Sequence, residues 1–240
     1  MTLSAATWNL NGLDERLLDE RTEAACFHLL AGPSRPDVVL LQEVVRRSFF
    51  AHLRPHFSAA GYTLAPAEPV SDSEYFCAIA VAPTLRPTGA WRRRFPGSSM
   101  GRALLALEVD WAGRPLLVCT AHLESLRSGA AQRRQQVVAV ADALRSHEGP
   151  ALYGGDTNLR SDGLAVLEEH GVDDAWEVLG RPGAKATWWP MEAKRPSGRR
   201  MRFDRFWSHG LVPEAIDVGG PVAVGELSAS DHRVVRGRWR

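Results

Sequence analysis

The segment Gly154-Gly155-Asp156-Thr157-Asn158-Leu159-Arg160 follows an apolar run over residues 150–153 that is typical of a buried strand. Two successive glycines let the backbone turn tightly, so we expect Asp156 and Asn158 to project toward one point beyond the sheet. A carboxylate beside a carboxamide can hold a water molecule or a phosphoryl oxygen at that point. The pair alone also has a simpler interpretation, because Asp-x-Asn is common in turns where both side chains cap nearby backbone.

Polar side chains of the same kinds stand at the ends of other apolar runs: Asn9 and Asn11, Glu43, His122 and Glu124, Asp204, and Asp231 with His232. If these runs share a sheet edge, the polar groups converge. Carboxylate and amide oxygens hold Mg²⁺ when substrate phosphate completes its coordination. Two histidines on a phosphoryl group can stabilise charge or transfer a proton. A carboxylate such as Asp204 can fix the tautomer of His232.

This set of residues indicates metal-assisted hydrolysis of a phosphate ester. No cysteine or serine stands in a nucleophile setting, and neither Gly-x-Ser-x-Gly nor a P-loop is present, so water is the expected nucleophile. Taken alone, Glu43 could be a carboxylate at a helix N-terminus and His122 a structural histidine. Asp204 could equally be an ion-pair partner of Arg202 or Arg205.

The elements that must position these groups are eight strands and four helices. The predicted strands cover residues 5–8, 38–41, 76–82, 103–111, 115–121, 151–154, 203–207 and 233–239. The predicted helices cover residues 15–30, 46–60, 130–146 and 162–170. Hairpins mixed with crossover helices favour an α/β fold in which two mostly antiparallel sheets pack face to face with helices outside. The last strand reaches the end of the chain, which predicts one domain over residues 1–240.

Three segments between these elements have a distinctive composition. Trp111-Ala112-Gly113-Arg114 predicts a hairpin turn. Residues 86–99 and 192–202 are rich in arginine, proline and glycine and are expected to be surface loops. Their clusters Arg92-Arg93-Arg94 and residues 194–202 are candidates for holding a DNA backbone, because affinity for DNA depends largely on phosphate charge.

The composition is that of an ordinary globular protein, with 240 residues of which 45% are hydrophobic. A net charge of +1 gives no global attraction for nucleic acid, so local arginines must meet any anionic ligand. Cys26, Cys77 and Cys119 lack metal or redox spacing and are expected to be buried free thiols. The sequence shows no signal-peptide pattern and no apolar run of membrane-spanning length. It therefore predicts a cytoplasmic monomer without an obligate protein partner.

Four motifs resemble the ordered motifs of the endonuclease/exonuclease/phosphatase superfamily: Thr7-Trp8-Asn9, Leu41-Gln42-Glu43, Gly155-Asp156-Thr157-Asn158 and Ser230-Asp231-His232. Longer motifs are similar to the catalytic domains of the tyrosyl-DNA phosphodiesterase 2 family, namely Asn9-Leu10-Asn11-Gly12-Leu13, Tyr75-Phe76-Cys77-Ala78-Ile79, His122-Leu123-Glu124-Ser125 and Arg202-Phe203-Asp204-Arg205. Their order and spacing are kept almost from end to end of the chain.

This resemblance implies a four-layer α/β sandwich. It also implies Mg²⁺-dependent hydrolysis, with Mn²⁺ as a substitute, of the bond between a tyrosine and a DNA 5′ phosphate during DNA repair. The implied metal ligands are Glu43, with Asn9 and Asp231 nearby. The implied catalytic residues include Asp156 and Asn158, which activate the attacking water. His122 and His232 are implied to bracket the phosphate, and Asp204 is the fifth member of this group. The implied substrate contacts are Arg160, Trp188 and Asn11 on the DNA and Tyr75 near the leaving group.

The chain departs from this family at two places in the expected DNA groove. Trp188-Trp189-Pro190 replaces a Trp-Asp-Thr motif, and Ser161 separates Arg160 from the next acidic residue, Asp162. Of the adjacent tryptophans, Trp188 is expected to face the groove, although both could belong to the core. A same-fold enzyme acting on other DNA, RNA or small phosphoesters therefore stays open, as does a DNA-binding module without activity.

Overall fold

A computed structural model of the chain describes residues 1–32, 34–69, 73–160, 164–183, 186–189 and 200–240. The strands in these ranges are β1 (Leu3–Asn9), β2 (Val38–Val45), β3 (Thr63–Ala65), β4 (Tyr75–Val81), β5 (Arg86–Arg94), β6 (Ala103–Trp111), β7 (Arg114–Thr120), β8 (Ala151–Asp156), β9 (Asp173–Asp174), β10 (Asp204–His209), β11 (Pro213–Val218), β12 (Ala223–Val224), β13 (Leu227–Ser228) and β14 (Val235–Trp239). The helices are α1 (Leu18–Leu30), α2 (Arg46–Ser48), α3 (Arg54–Ala59), α4 (Ala130–Arg145), α5 (Leu164–Glu169) and α6 (Ala175–Val178), and a π-helical turn, Phe49–Leu53, joins α2 to α3.

Two six-stranded sheets carry the fold. Their strand orders are β11-β14-β1-β2-β4-β3 and β5-β6-β7-β8-β10-β9. In each sheet one central pair is parallel, β1 with β2 and β7 with β8, and the other neighbours are antiparallel. Helix α1 crosses from β1 to β2, and α4 crosses from β7 to β8. The predicted α/β fold with two mostly antiparallel sheets is confirmed, and both parallel pairs end at one edge.

Three buried clusters separate the layers. Between the sheets, residues such as Leu40 and Phe206 interdigitate. On the outer face of the first sheet, Trp8 and Leu41 pack with the buried side of α1, and on the outer face of the second, Tyr153 packs with that of α4. Because β2 and β8 are covered on both faces, their sequences are continuous apolar runs instead of alternating ones. The layers are therefore helix, sheet, sheet and helix.

The Gly154-Gly155 pair does not form the tight turn that the sequence predicted. Both glycines lie inside β8 and neither has a positive φ angle. A Cβ atom on Gly154 would come within 2.6 Å of Leu40 and of Phe206, and one on Gly155 within 2.3 Å of the Ala121 carbonyl oxygen. These glycines therefore permit close packing between sheets and strands, and the turn follows three residues after Gly155, at Asn158.

Several predicted boundaries differ from the structure. Helix α1 begins at Leu18 instead of residue 15, and the described part of helix 162–170 is α5. Short strands β3, β9 and β11 have no strong signal in the sequence and were missed. The loop prediction for residues 86–99 was wrong, because residues 86–94 form β5. This edge strand is rich in exposed arginine, which protects an unpaired edge from pairing with other chains. Segment 192–202 lies outside the described residues apart from 200–202.

Two further expectations concern the cysteines and membranes. Cys26 and Cys119 are buried and Cys77 is half-buried, and all three are free thiols. Among the described helices, none has the length and apolar character needed to cross a bilayer.

Candidate active site

The site lies where the four parallel strands end. Asn9 is the last residue of β1, Glu43 lies near the end of β2, His122 follows β7, and Asp156 is the last residue of β8. A parallel bridge holds His122 beside Asp156. The carboxyl ends of parallel strands are where α/β folds usually bind their ligands. The crossover topology thus places four polar residues, far apart in sequence, at one edge.

Antiparallel neighbours bring three more residues to the same edge. Asp204 opens β10 directly opposite Asp156, Tyr75 opens β4 opposite Val45, and His232 lies three residues before β14. The residues predicted from separate motifs are therefore brought together by strand register.

Three residues of the site have left-handed backbone conformations. Asn11, Glu43 and Asn158 have φ angles of 49°, 51° and 49°. At Glu43, β2 bulges between Leu41 and Val44, which turns the carboxylate toward the edge. The carboxylate does not cap α2, because the N-cap residue of that helix is Val45 and no side chain caps it. Such conformations are costly and often accompany functional sites.

Asp156 is the hub of the hydrogen-bond network. Its Oδ2 accepts from Asn9 Nδ2 at 2.9 Å and lies 3.3 Å from His122 Nε2 and 3.6 Å from His232 Nε2. Its Oδ1 accepts from the backbone N–H of Asn158 at 3.0 Å. Asn9 Nδ2 also reaches Glu43 Oε1 at 3.3 Å. One buried carboxylate is therefore shared by both histidines and linked to the second acidic side chain.

Asp204 orients His232. Its Oδ2 lies 2.8 Å from His232 Nδ1, and the carboxylate is fully buried. Burial alone would lower the pKa of His232, but the charges of Asp204 and Asp156 and the hydrogen bond to Asp204 raise it to about 10. His232 is therefore an imidazolium at neutral pH. The orienting role predicted for Asp204 is the one that this geometry supports.

The two arginines considered as partners of Asp204 bind elsewhere. Arg205 Nη1 pairs with Asp174 Oδ2 at 3.0 Å, and the Arg202 guanidinium lies 4.3 Å from the centre of the Trp176 ring. The alternative ion-pair interpretation of Asp204 was therefore wrong.

His122 lies on the other side of Asp156 and is a neutral imidazole. Burial lowers its pKa to about 3, with Asp156 opposing that shift and Arg102 adding to it. Its Nδ1 lies 3.5 Å from Glu43 Oε1. The 3.3 Å contact with Asp156 therefore joins a neutral ring to a carboxylate.

Arg102 is a site residue that the sequence did not reveal. It is only 6% exposed, and its guanidinium lies 5.2 Å from the centre of the Tyr75 ring. Nη2 reaches Met100 Sδ at 3.5 Å, whereas Nε and Nη1 have no hydrogen-bond partner among the described residues. No motif marks this residue, since it follows a turn of Ser and Gly ahead of β6. A buried cation without a paired acid is suited to an anionic ligand.

An open groove of about 740 Å³ is lined by Glu43, His122, Asp156 and His232. Among its lining residues are the predicted substrate contacts Asn11, Tyr75, Arg160 and Trp188, together with Asn158, Asp231 and the newly found Arg102. The Trp188 indole donates to Asp231 Oδ2 at 2.8 Å, so the ring faces the groove while it is held by an acidic residue of the site. Trp189 is half-buried, with the Arg233 guanidinium 4.7 Å from its ring centre.

The groups that could hold a metal ion are mostly oxygen donors. Burial raises the pKa of Glu43, and the charges of Asp156 and Asp231 add to this effect against the hydrogen bond from Asn9. A cation would relieve this repulsion, and carboxylate and amide oxygens suit a hard cation. Among the described acidic, histidine and cysteine residues, the ligand atoms that cluster within 4.8 Å belong to Asp156, Asp204 and His232. Two of these, Asp204 and His232, are already hydrogen-bonded to each other.

Comparison with known proteins gives a consistent result. The model of the Endonuclease/Exonuclease/phosphatase family matches residues 6–232. Tyrosyl-DNA phosphodiesterase 2 of Gallus gallus is 33% identical over 91% of this chain, and that of Homo sapiens is 29% identical over 90%. The chain spans 61% and 62% of those relatives, respectively.

Solved structures extend the similarity to the fold. The structure of D. rerio TDP2 complexed with single strand DNA product covers 100% of this chain, with a TM-score of 0.85 and 26% identity, and 99% of that chain is covered. The humanized D. rerio TDP2 gives a TM-score of 0.86 at 27% identity, again over 100% of this chain and 99% of the other. The resemblance drawn from the sequence motifs is confirmed.

Proposed function

Because the chain belongs to the endonuclease/exonuclease/phosphatase family, we propose that it is a metal-dependent phosphodiesterase that hydrolyses the bond between a tyrosine and a DNA 5′ phosphate. The observation that carries this proposal is the convergence of Glu43, Asp156, His122 and His232 from four strand ends on one groove. Support for the substrate comes from the tyrosyl-DNA phosphodiesterase 2 relatives and from the D. rerio structure with its single-stranded DNA product.

We assign the metal position to Glu43, with Asn9 and Asp231 beside it, and the ion to Mg²⁺, with Mn²⁺ as a substitute. When bound, the ion supplies positive charge against the phosphoryl oxygens. Burial raises the pKa of the Glu43 carboxyl above its ordinary value, and a cation binds the ionised form, so we expect metal affinity to increase as pH rises through that pKa.

The remaining chemistry belongs to side chains around Asp156. Asp156 and Asn158 hold the attacking water, and because His232 is already protonated at neutral pH, Asp156 is the group that accepts the water's proton. His232 donates from Nε2 toward a phosphoryl oxygen while Asp204 holds its Nδ1. His122 contacts the phosphate from the other side as a neutral imidazole. The attack is direct and in line, without a covalent enzyme intermediate.

One end of the groove binds the tyrosine leaving group, and the other end binds the DNA. Tyr75 and Arg102 form the leaving-group end, where the guanidinium lies close to the charge that develops on a departing phenolate. Arg160, Trp188 and Asn11 form the DNA end, where the indole can stack on a base and the arginine can contact phosphate. The enzyme acts as a monomer without an obligate protein partner, and its three free thiols fit a reducing, cytoplasmic environment.

The test is a metal-dependent assay on a 5′-phosphotyrosyl oligonucleotide, with the 3′-linked oligonucleotide as a specificity control. Glu43→Ala and Asp156→Asn are expected to abolish turnover and to leave DNA affinity within about threefold of wild type, because phosphate charge dominates that affinity. Asp173→Asn, which changes an exposed carboxylate on β9, is the matched control and keeps full activity.

Three results would contradict the proposal. Full activity in either site variant would remove these residues from the chemistry. Faster turnover of abasic-site DNA or a lipid phosphodiester than of the tyrosyl oligonucleotide would keep the chemistry and replace the substrate. If no phosphoester is hydrolysed with Mg²⁺ or Mn²⁺, the chain is a binding module instead of an enzyme.

A further inference from the structure

Glu124 is a fully buried carboxylate that does not reach the groove. It lies two residues after His122, in the segment that follows β7. Both of its oxygens are occupied by donors from one loop, residues 98–100, and from α4. Burying an ionised group is costly unless it is hydrogen-bonded in this way. Such an arrangement fixes the loop relative to the backbone that carries His122.

The donors define a specific anchor. Oε1 accepts from the backbone N–H groups of Ser99 at 3.0 Å and of Met100 at 3.1 Å, as well as from the Ser99 hydroxyl. Oε2 accepts from the Ser98 hydroxyl at 2.7 Å and from Gln136 Nε2 at 3.1 Å. Gln136 also accepts from the backbone N–H of Glu124 at 2.7 Å. These bonds keep the pKa of Glu124 low despite its burial, so the carboxylate stays ionised.

The anchor continues to Arg102. The Ser98 hydroxyl that donates to Glu124 also accepts from the backbone N–H of Arg102 at 2.8 Å. The Arg102 side chain then extends over Tyr75, and Met100 from the same loop contacts its guanidinium. Arg102 has no acidic partner of its own among the described residues, so backbone anchoring is what holds this cation in the groove.

We propose that Glu124 is the positioning residue for the leaving-group end of the groove, because it holds Arg102 over Tyr75 through the Ser98 hydroxyl. This inference rests on the proposed function for its chemical meaning. The backbone segment 122–124 carries both His122, which contacts the phosphate, and Glu124, which determines the position of the Arg102 guanidinium.

The first measurement does not depend on activity. Glu124→Gln replaces one acceptor oxygen with an amide nitrogen that faces N–H and O–H donors. We expect the Ser99 and Met100 amides to exchange with deuterium at least about tenfold faster in this variant, because local opening no longer breaks charged hydrogen bonds. Ser128→Ala, which removes an exposed hydroxyl in the neighbouring loop, is the control and leaves this exchange unchanged.

The second measurement compares two leaving groups on otherwise identical esters, thymidine 5′-phenyl phosphate and thymidine 5′-(4-nitrophenyl) phosphate. Phenolate is a poorer leaving group than 4-nitrophenolate and depends more on a nearby positive charge. We expect Glu124→Gln to lower kcat on the phenyl ester about tenfold more than on the nitrophenyl ester. A general loss of folded protein would lower both equally.

The third measurement is a double-mutant cycle with Arg102→Met. If Glu124 acts through Arg102, the double variant loses no more activity on the phenyl ester than Arg102→Met alone. If Glu124→Gln does not fold, Ser98→Ala removes the hydroxyl that links Glu124 to Arg102. We expect this variant to lower kcat more on the phenyl ester than on the nitrophenyl ester, by a smaller factor than Glu124→Gln.

Equal losses on the two esters, additive losses in the cycle, or unchanged exchange at Ser99 and Met100 would each overturn the role of Glu124. If the wild-type protein hydrolyses neither ester nor the tyrosyl oligonucleotide, it is the proposed function that fails. The exchange experiment then decides alone whether Glu124 anchors the loop.

Discussion

The two sides of the groove present a histidine each to the same oxygen of Asp156, yet the two rings differ in charge. His232 is surrounded by Asp204, Asp156 and Asp231, which raise its pKa to about 10 against the effect of burial. Burial lowers the pKa of His122 to about 3, because Asp156 alone opposes it while the charges of Arg102 and His232 add to it. The neighbours, and not the distance to Asp156, decide the charge of each ring. A phosphoryl group between them would meet an imidazolium on one side and a neutral imidazole backed by a guanidinium on the other.

The largest expected effect is a difference between matched substitutions of the two histidines. Glutamine can replace the hydrogen bonds of a neutral imidazole but not the charge of an imidazolium. We expect His232→Gln to lower kcat about a thousandfold, because it removes a charge aimed at the phosphoryl group. His122→Gln is expected to lower kcat only about tenfold, because the group it replaces is neutral. Both values come from single-turnover assays on the tyrosyl oligonucleotide.

Thermal unfolding of both variants is the control for folding. Equal losses of kcat in the two variants would contradict the assignment of opposite charges. A larger loss in His122→Gln would reverse it.

Asp204→Asn tests the origin of the charge on His232. Asparagine keeps an acceptor for Nδ1–H but removes the negative charge, so the pKa of His232 must fall. The wild-type rate is expected to decline as pH rises through about 10, where His232 loses its proton. In Asp204→Asn this decline moves to lower pH, and kcat at neutral pH falls about a hundredfold.

The measurement is a pH profile of kcat between pH 6 and pH 10.5 with saturating metal. Asp173→Asn, the exposed carboxylate of the same sheet, should leave the profile unchanged. An alkaline decline at the same pH in wild type and Asp204→Asn would mean that another group controls it.

The His232 side of the groove was predictable from sequence, and on the other side His122 and Tyr75 were predicted whereas Arg102 was not. Asp231, His232, Asp156 and Asn158 lie in short motifs that flank strong apolar runs, and strand register then brings them together. Asp204 was singled out with its orienting role because it lies at the start of the predicted strand over residues 203–207. These residues are found because their chemistry and their position in the sequence coincide.

Arg102 and Glu124 depend on contacts that no local pattern encodes. Arg102 gains its role from lying over Tyr75, a residue 27 positions earlier in the sequence, and from the loop that Glu124 holds. The glycines at 154 and 155 show the same limit, since their sequence suggests a turn and their contacts with Leu40 and Ala121 explain them instead. The strand over residues 86–94 was also missed, because its arginines give no apolar alternation although its backbone pairs with β6 on both sides of a bulge between Pro87 and Gly89. Long-range packing decides each of these cases.

The smallest expected effect is a change in the pKa of His122. It tests why this histidine is neutral whereas His232 is charged. Arg102 is one cause of the low pKa of His122, so Arg102→Met must raise that pKa. Burial is the larger cause and stays, so the pKa remains below the ordinary histidine value of about 6.5. The measurement is an NMR titration of His122 in metal-free protein. Arg86→Met is the control, because Arg86 is exposed and its guanidinium pairs with Asp110 instead of lining the groove. An unchanged pKa in Arg102→Met would show that burial alone keeps His122 neutral, and the contrast between the two sides would then depend on the carboxylates around His232.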